Sequence, residues 1–139
     1  MSVSTHTISI RTNGNTDIKN ITDEVADCLR ESNLQNGILT VFIGGSTGGI
    51  TTIEYEPGLL KDFPETMETV APAGKTYHHN ETWHDGNGHS HIRSSLVGTS
   101  YTVPFSDGKM LLGTWQQIIF IDFDNRSRRR QIIVQIIGE

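Results

Sequence analysis

Ile38 to Glu56 reads ILTVFIGGSTGGITTIEYE. Ile38 to Ile43 is a short apolar run rich in β-branched residues, the pattern of a buried strand. Gly44 to Gly49 is a glycine-rich loop, and Ile50 to Glu56 alternates as a second strand would. A strand, a glycine loop and a second strand exclude a dinucleotide fingerprint, which needs a helix after the glycines. No Gly-Lys-Ser or Gly-Lys-Thr follows, which excludes a P-loop. The loop is either a tight β-ribbon turn or a nest of backbone N–H groups for an anion, with Ser46 and Thr47 adding hydroxyl donors.

Outward from this pair, Thr22 to Ser32 reads as a helix. Thr22 suits the N-cap, Asp23 and Glu24 face the helix dipole, and Ile21, Val25, Cys28 and Leu29 share an apolar face. A second helix covers Leu59 to Val70, with Leu59, Leu60, Phe63, Met67 and Val70 apolar. Pro64 lies inside it and predicts a break or a restart. Val3 to Thr12, Ser94 to Phe105, Lys109 to Phe123 and Arg128 to Ile137 read as strands, with a hairpin turn at Ser106-Asp107-Gly108. The last, RRRQIIVQII, suggests an edge or long twisted ribbon with a solvated basic start. The sum is an α+β fold, a mostly antiparallel sheet with two helices, in one domain spanning residues 1–139.

The chain has 139 residues, 35% hydrophobic and 19% charged, with a net charge of −5. That balance argues against a broad nucleic-acid-binding surface, which needs clustered positive charge. No apolar run reaches the length of a membrane span. Met1 to Asn20 lacks the apolar core of a signal peptide, so the cytoplasm is the expected compartment. The single cysteine, Cys28, allows no internal disulfide and reads as a small buried hydrophobe.

Five of the six histidines fall between His78 and His91: His78, His79, His84, His89 and His91. On a strand, His89-Ser90-His91 would aim both imidazoles at one ion. Asn80, Glu81 and Asp85 in the same segment are ligand candidates or partners that fix a histidine tautomer. Neutral imidazoles suit Zn²⁺, Ni²⁺ or Fe²⁺, and a mixed histidine and carboxylate set suits an open catalytic site. The alternative is a solvated, histidine-rich loop. Arg93 stands near the histidines and is a candidate for a phosphate. Arg126, Arg128, Arg129 and Arg130 read as phosphate forks or, slightly preferred, as a solvated turn or inter-subunit ion pairs. Trp83 and Trp115 are candidate pocket residues, with Trp115 more readily placed in a core or interface.

Tyr77-His78-His79-Asn80, Asn87-Gly88-His89-Ser90-His91-Ile92-Arg93-Ser94-Ser95-Leu96-Val97-Gly98, Val103-Pro104-Phe105, Gly113-Thr114-Trp115-Gln116 and the closing arginine-rich ribbon to Gly138-Glu139 together resemble the YjbQ-like family, also called secondary thiamine-phosphate synthase enzyme. The resemblance implies a compact α+β fold with a β-sandwich or barrel-like sheet, assembled as a homotrimer. It also implies histidines near subunit boundaries that hold a metal such as zinc. The named activity joins a hydroxymethylpyrimidine diphosphate to a thiazole phosphate. Many members carry His-Thr-Ser/Thr-Ala after the first buried strand and then an Asn-Glu pair; here these read Gly45-Ser46-Thr47-Gly48 and Ile53-Glu54.

The expected function is that of a metal-dependent enzyme acting on a phosphorylated small molecule. A divalent metal, zinc foremost, would neutralise a diphosphate leaving group. His79, His84, His89 and His91 are the metal candidates, and Glu54 and Asp85 the candidate catalytic carboxylates. Ser46, Thr47 and Arg93 are the candidate phosphate-binding residues. The partners expected are the phosphorylated substrate and other copies of the chain, with neither nucleic acid nor membrane. The competing readings are a non-catalytic metal- or ligand-binding trimer, and a trimer whose histidines and arginines serve only as polar interfaces.

Overall fold

The run Ile38 to Ile43 buries Leu39, Val41 and Ile43 and leaves Ile38, Thr40 and Phe42 outside, the period-2 pattern of a sheet with one covered face. In the computed structural model, which describes residues 1–139, the elements in chain order are β1 (Ser2–Thr12), β2 (Asp17–Asn20), α1 (Thr22–Ser32), β3 (Gly37–Ile43), β4 (Gly48–Glu54), α2 (Pro57–Val70), α3 (His78–Trp83), α4 (Gly88–Val97), β5 (Ser100–Ser106), β6 (Lys109–Met110), β7 (Gln116–Asp122) and β8 (Arg128–Gly138). The fold is α+β, with antiparallel sheets curled as a half-barrel. One sheet has the order β1-β8-β3-β5-β6 and the other β2-β7-β4.

Both sheets face the main core. Ile8, Leu39, Val41, Val103, Ile132, Val134 and Ile136 come from the larger sheet, and Ile50, Ile118 and Phe120 from the smaller. Helix α1 closes this core with Val25, Cys28 and Leu29. The alternate residues of β7, Ile119 and Ile121, point the other way, toward Met67 of α2 and Phe123. Strand β7 is therefore buried on both faces, which explains its unbroken apolar run. The free Cys28 is buried, and burial raises its thiol pKa, in keeping with the packing role expected.

Seven expectations are corrected. Strand β8 is not an edge: it lies between β1 and β3, and Arg130 in its basic start is buried. Helix α2 runs unbroken past Pro64. The proline's missing hydrogen bond, a cost of about 3 kcal/mol, is offset by the Glu56 carboxylate, which accepts the Gly58 and Leu59 N–H groups, and by Phe63 and Met67 packing on the smaller sheet. Thr22 is not the cap of α1 but its first residue. Its hydroxyl donates to Asn20 Oδ1 (2.7 Å) and accepts the Ile118 N–H (2.8 Å).

The strand expected from Lys109 to Phe123 divides into β6 and β7 around an exposed loop that holds Trp115. The segment expected as a strand from Ser94 is helical to Val97, and β5 begins only at Ser100. There are four helices instead of two. Helix α4 escapes a hydrophobicity reading because its buried face is polar: His89, Ser90, Arg93 and Ser94. Ser94 Oγ donates to the Gly48 carbonyl (2.5 Å), which ties α4 to the first residue of β4. Gly48 and Gly49 are thus strand residues, not loop residues. Their missing side chains make room for Phe120, Val97 and Phe123.

Candidate functional site

The connection from β7 to β8 carries two acidic residues at alternate positions, Asp122 and Asp124, followed by Arg128 and Arg130, also alternate. Arg130 grips Asp122 with both prongs: Nε donates to Oδ2 and Nη2 to Oδ1, each at 2.8 Å. Thr12 Oγ1 donates to the same carboxylate, and so does the Asp124 N–H. Burial alone would raise the Asp122 pKa, but these hydrogen bonds and the guanidinium hold it below the usual carboxylate range. The hydrogen bond to Asp122 in turn raises the Arg130 pKa.

Asp124 sits beside this pair. Its Oδ1 accepts the Asn125 N–H (2.8 Å) and the Asn87 Nδ2 (3.3 Å); its Oδ2 accepts Thr47 Oγ1 (3.2 Å) and pairs with Arg128 Nη2 (2.8 Å). Burial again pushes the pKa up, and the hydrogen bonds from Asn125 and Asn87 with the Arg128 charge outweigh it. Asp124 is therefore a fixed anion that orients whatever touches it.

Asn87 carries that orientation outward. Its amide NH₂ is committed to Asp124, so its Oδ1 faces His79 Nε2 at 3.1 Å as an acceptor. His79 Nε2 must then carry the proton, and the lone pair lies on Nδ1. Asp85 Oδ1 stands 3.4 Å from the same Nε2. The turn that makes this possible runs from His84, left-handed at the end of α3, through Gly86 to the start of α4. Gly88 packs against Tyr77 so closely that a Cβ would lie 2.5 Å from the tyrosine Cβ. Across this turn the His79 and His91 rings lie 4.3 Å apart at 48°. Burial, then the neighbouring His79, lowers the His91 pKa and favours its neutral form.

His79, His91 and Asp85 are thus brought together, and Thr47 joins them through Asp124. His89 is not: it lies on the buried face of α4, with its Nδ1 buried and unpartnered and its ring 6.4 Å from that of Tyr77. The chelating His89–His91 pair expected of a strand is lost, because neighbours two apart on a helix point to nearly opposite sides. His84 is exposed at the end of α3, and Ser46 is exposed in the loop before β4.

Thr47 is buried with its hydroxyl committed to Asp124 and Arg130. Arg93 is turned inward: Nε donates to the Ala71 carbonyl (2.9 Å), Nη1 to Thr16 Oγ1 (3.0 Å) and Nη2 to Glu68 (2.8 Å). Glu54 ends β4, whose other end, Gly48, meets the site. Six residues of strand put it roughly 20 Å away. There Glu54 lines a separate cleft of about 310 Å³ with Tyr55 and an exposed Trp115, which is not a core residue.

Asn87, Asp122 and Asp124 were not singled out as site residues from the sequence. The signal available was the alternation: two acids and two arginines, each two apart on either side of a turn, place opposite charges on one sheet face. The donor chemistry of His79 and His91 fits a divalent ion, with the Nδ1 lone pair of His79 and a neutral His91 on offer. The side chains do not close around one by themselves, since no group of three or more His, Cys, Asp or Glu residues gathers at ligand spacing within the chain. No helix is long and apolar enough to cross a membrane.

A family model described as UPF0047 protein YjbQ-like matches residues 6–139. A UPF0047 protein of Methanothermobacter thermautotrophicus is 40% identical over 139 residues, covering 100% of this chain and 95% of that one. UPF0047 protein YugU of Bacillus subtilis is 33% identical over 134 residues, covering 95% and 98%. Among solved structures, a YbjQ-like protein of Sulfolobus solfataricus superposes with a TM-score of 0.90 at 28% identity, covering 99% of this chain and 100% of that one. A YjbQ/UPF0047 family protein of Clostridium acetobutylicum gives 0.87 at 35% identity, covering 95% and 99%. The family match and the shared fold both extend over nearly the whole chain, and this chain belongs to the UPF0047 YjbQ-like family.

Proposed function

We propose that the chain is a metal-dependent enzyme acting on a phosphorylated small molecule at the His79–His91 pair, with thiamine-phosphate synthase chemistry as a secondary activity. The observation that carries this reading is the paired imidazoles, one with its tautomer set by Asn87 and Asp124 and the other kept neutral by burial. A divalent ion, zinc foremost, would supply charge to neutralise a departing phosphate or diphosphate. His79 Nδ1 and His91 are the residues that would hold it, with Asp85 beside them. Asn87 and Asp124 orient His79. Asp85, exposed beside His79, would take or give a proton.

The test is turnover of a panel of phosphate and diphosphate esters by the wild type and His91→Ala. Loss of turnover with an intact fold supports the reading; equal turnover removes it.

The second reading is a non-catalytic metal- or ligand-binding homotrimer, and one observation supports its assembly. The outer face of β1, β8 and β3 exposes Val3, Ile38, Phe42, Ile133 and Ile137, an apolar patch of the kind that marks association. Light scattering after size exclusion tests it: Ile133→Glu is expected to convert a trimer into smaller species, and a monomeric wild type contradicts it. Trimerisation is compatible with catalysis, whereas metal binding without turnover of any ester would favour this second reading. The cytoplasm is the proposed compartment.

A further inference from the structure

We infer that the end of the β1–β8 ribbon is a binding site for the phosphate or diphosphate end of a small molecule, distinct from Ser46, Thr47 and Arg93. In the antiparallel pairing of β1 with β8, Arg11 stands directly opposite Arg129 and Thr12 opposite Arg128. Like charges in directly opposed positions repel. Neither Arg11 nor Arg129 has an ion pair or a side-chain hydrogen bond within the chain, and both are exposed. A chain of net charge −5 thus concentrates cations where they stabilise nothing internal.

They border a cleft of about 340 Å³ lined by Arg11, Thr12, Asn13, Ser127, Arg128 and Arg129, with no apolar residue and no carboxylate. Arg128 is held by Asp124 through Nη2, and its buried Nε has no partner. Its guanidinium is thereby set in place before any ligand arrives. Asn13 and Ser127 add side-chain donors to the three guanidiniums. This is the donor set that phosphate oxygens take, and fork geometry favours them over a halide.

The site deepens the reading of a phosphorylated substrate and rests on it for the ligand's identity. Arg128, Asp124, Asn87 and His79 form one bonded chain from the cleft to the imidazoles. A substrate anchored here would have its anionic end tied to the groups that orient His79. Arg93 and Thr47, by contrast, are spent inside the fold and leave the anchoring to this cleft.

The experiment is calorimetric titration of the full chain with inorganic diphosphate, in chelator and without added metal, for wild type, Arg11→Gln/Arg129→Gln, Arg126→Gln and His91→Ala. The double variant is expected to bind about tenfold more weakly or worse, the scale of losing charge-assisted hydrogen bonds. Arg126→Gln and His91→Ala are expected to bind as the wild type does. Without diphosphate and at low salt, Arg129→Gln is expected to melt no lower than wild type, because it removes a repulsion that salt otherwise screens.

No binding by the wild type, or equal binding by the double variant, overturns the inference. A loss confined to His91→Ala also overturns it, by placing the anion at the histidines, while leaving the catalytic reading standing. A clear fall in the melting temperature of Arg129→Gln overturns it too, since the arginine would then serve the fold.

Discussion

The imidazoles of His79 and His91 lie 4.3 Å apart although they belong to different helices, and only the first is held by a hydrogen-bonded partner inside the chain. The asymmetry gives them separate roles. His79 has its proton fixed on Nε2 by Asn87, whereas His91 has no such partner, and burial first favours its neutral form.

Asn87 is accordingly a positioning residue. Asn87→Ala is expected to lower turnover on the order of tenfold to a hundredfold, the range seen when partners that orient a site histidine are removed. The specific readout is the His79 ring in ¹⁵N-resolved NMR. A single Nε2–H tautomer in the wild type should become a mixture in the variant. An unchanged tautomer would remove the role.

The buried ion pair of Asp122 and Arg130 holds β7, β8 and the Thr47 loop together. Asp122 is fully buried. Asp122→Asn removes the nearer, bidentate counter-charge of the guanidinium, leaving only Asp124 at 3.9 Å, and is expected to cost on the order of 3 kcal/mol in urea unfolding. A cost within the range of an exposed ion pair, below about 1 kcal/mol, would show that the pair is dispensable.

Stability should fall on mild acidification. The folded-state pKa values of His89 and His91 are lowered, first by burial. The unfolded chain therefore takes up protons first. Their contribution is complete above the unfolded value of about 6.5 and is lost as pH falls from there through the folded values. The lowered carboxyls of Asp122 and Asp124 act later: their contribution is present above about pH 4 and is lost as pH drops through their folded values. Melting curves from pH 8 to 3 should show two successive losses. His89→Gln should diminish the first, and a first step that survives His89→Gln combined with His91→Gln would contradict the assignment.

Gly49 tests the packing of α4 on β4. A Cβ there would meet Val97 Cγ1 at 2.9 Å and Phe123 Cε2 at 3.2 Å. Gly49→Ala is expected to cost about 1–3 kcal/mol by overpacking. Gly74, where a Cβ meets nothing within 4 Å, is the control.

The β framework was legible because its strands have one face covered or both. The alternation of Arg130, Ile132, Val134 and Ile136 and the run Ile118 to Ile121 follow directly from burial. The hairpin at Asp107-Gly108 was legible from turn chemistry, and both residues adopt the positive φ it requires. Helix α4 was not, because periodicity methods look for apolar residues and its inner face satisfies polar ones. That difference changed which histidines can meet: read on a strand, His89 and His91 converge, and on a helix they separate. Of the histidine cluster, the structure brings His79 and His91 together with Asp85 beside them. Asp122 and Asp124 stayed hidden because their partners lie far along the chain, at Thr12, Thr47, Asn87 and Arg130.

Elemental analysis of untagged protein, purified without added metal, tests the central claim most directly when wild type is compared with His91→Ala. The account predicts about one zinc or similar divalent ion per wild-type chain and its loss in the variant, with the fold preserved by circular dichroism. A folded wild type without metal, or an unchanged metal content in His91→Ala, would contradict it.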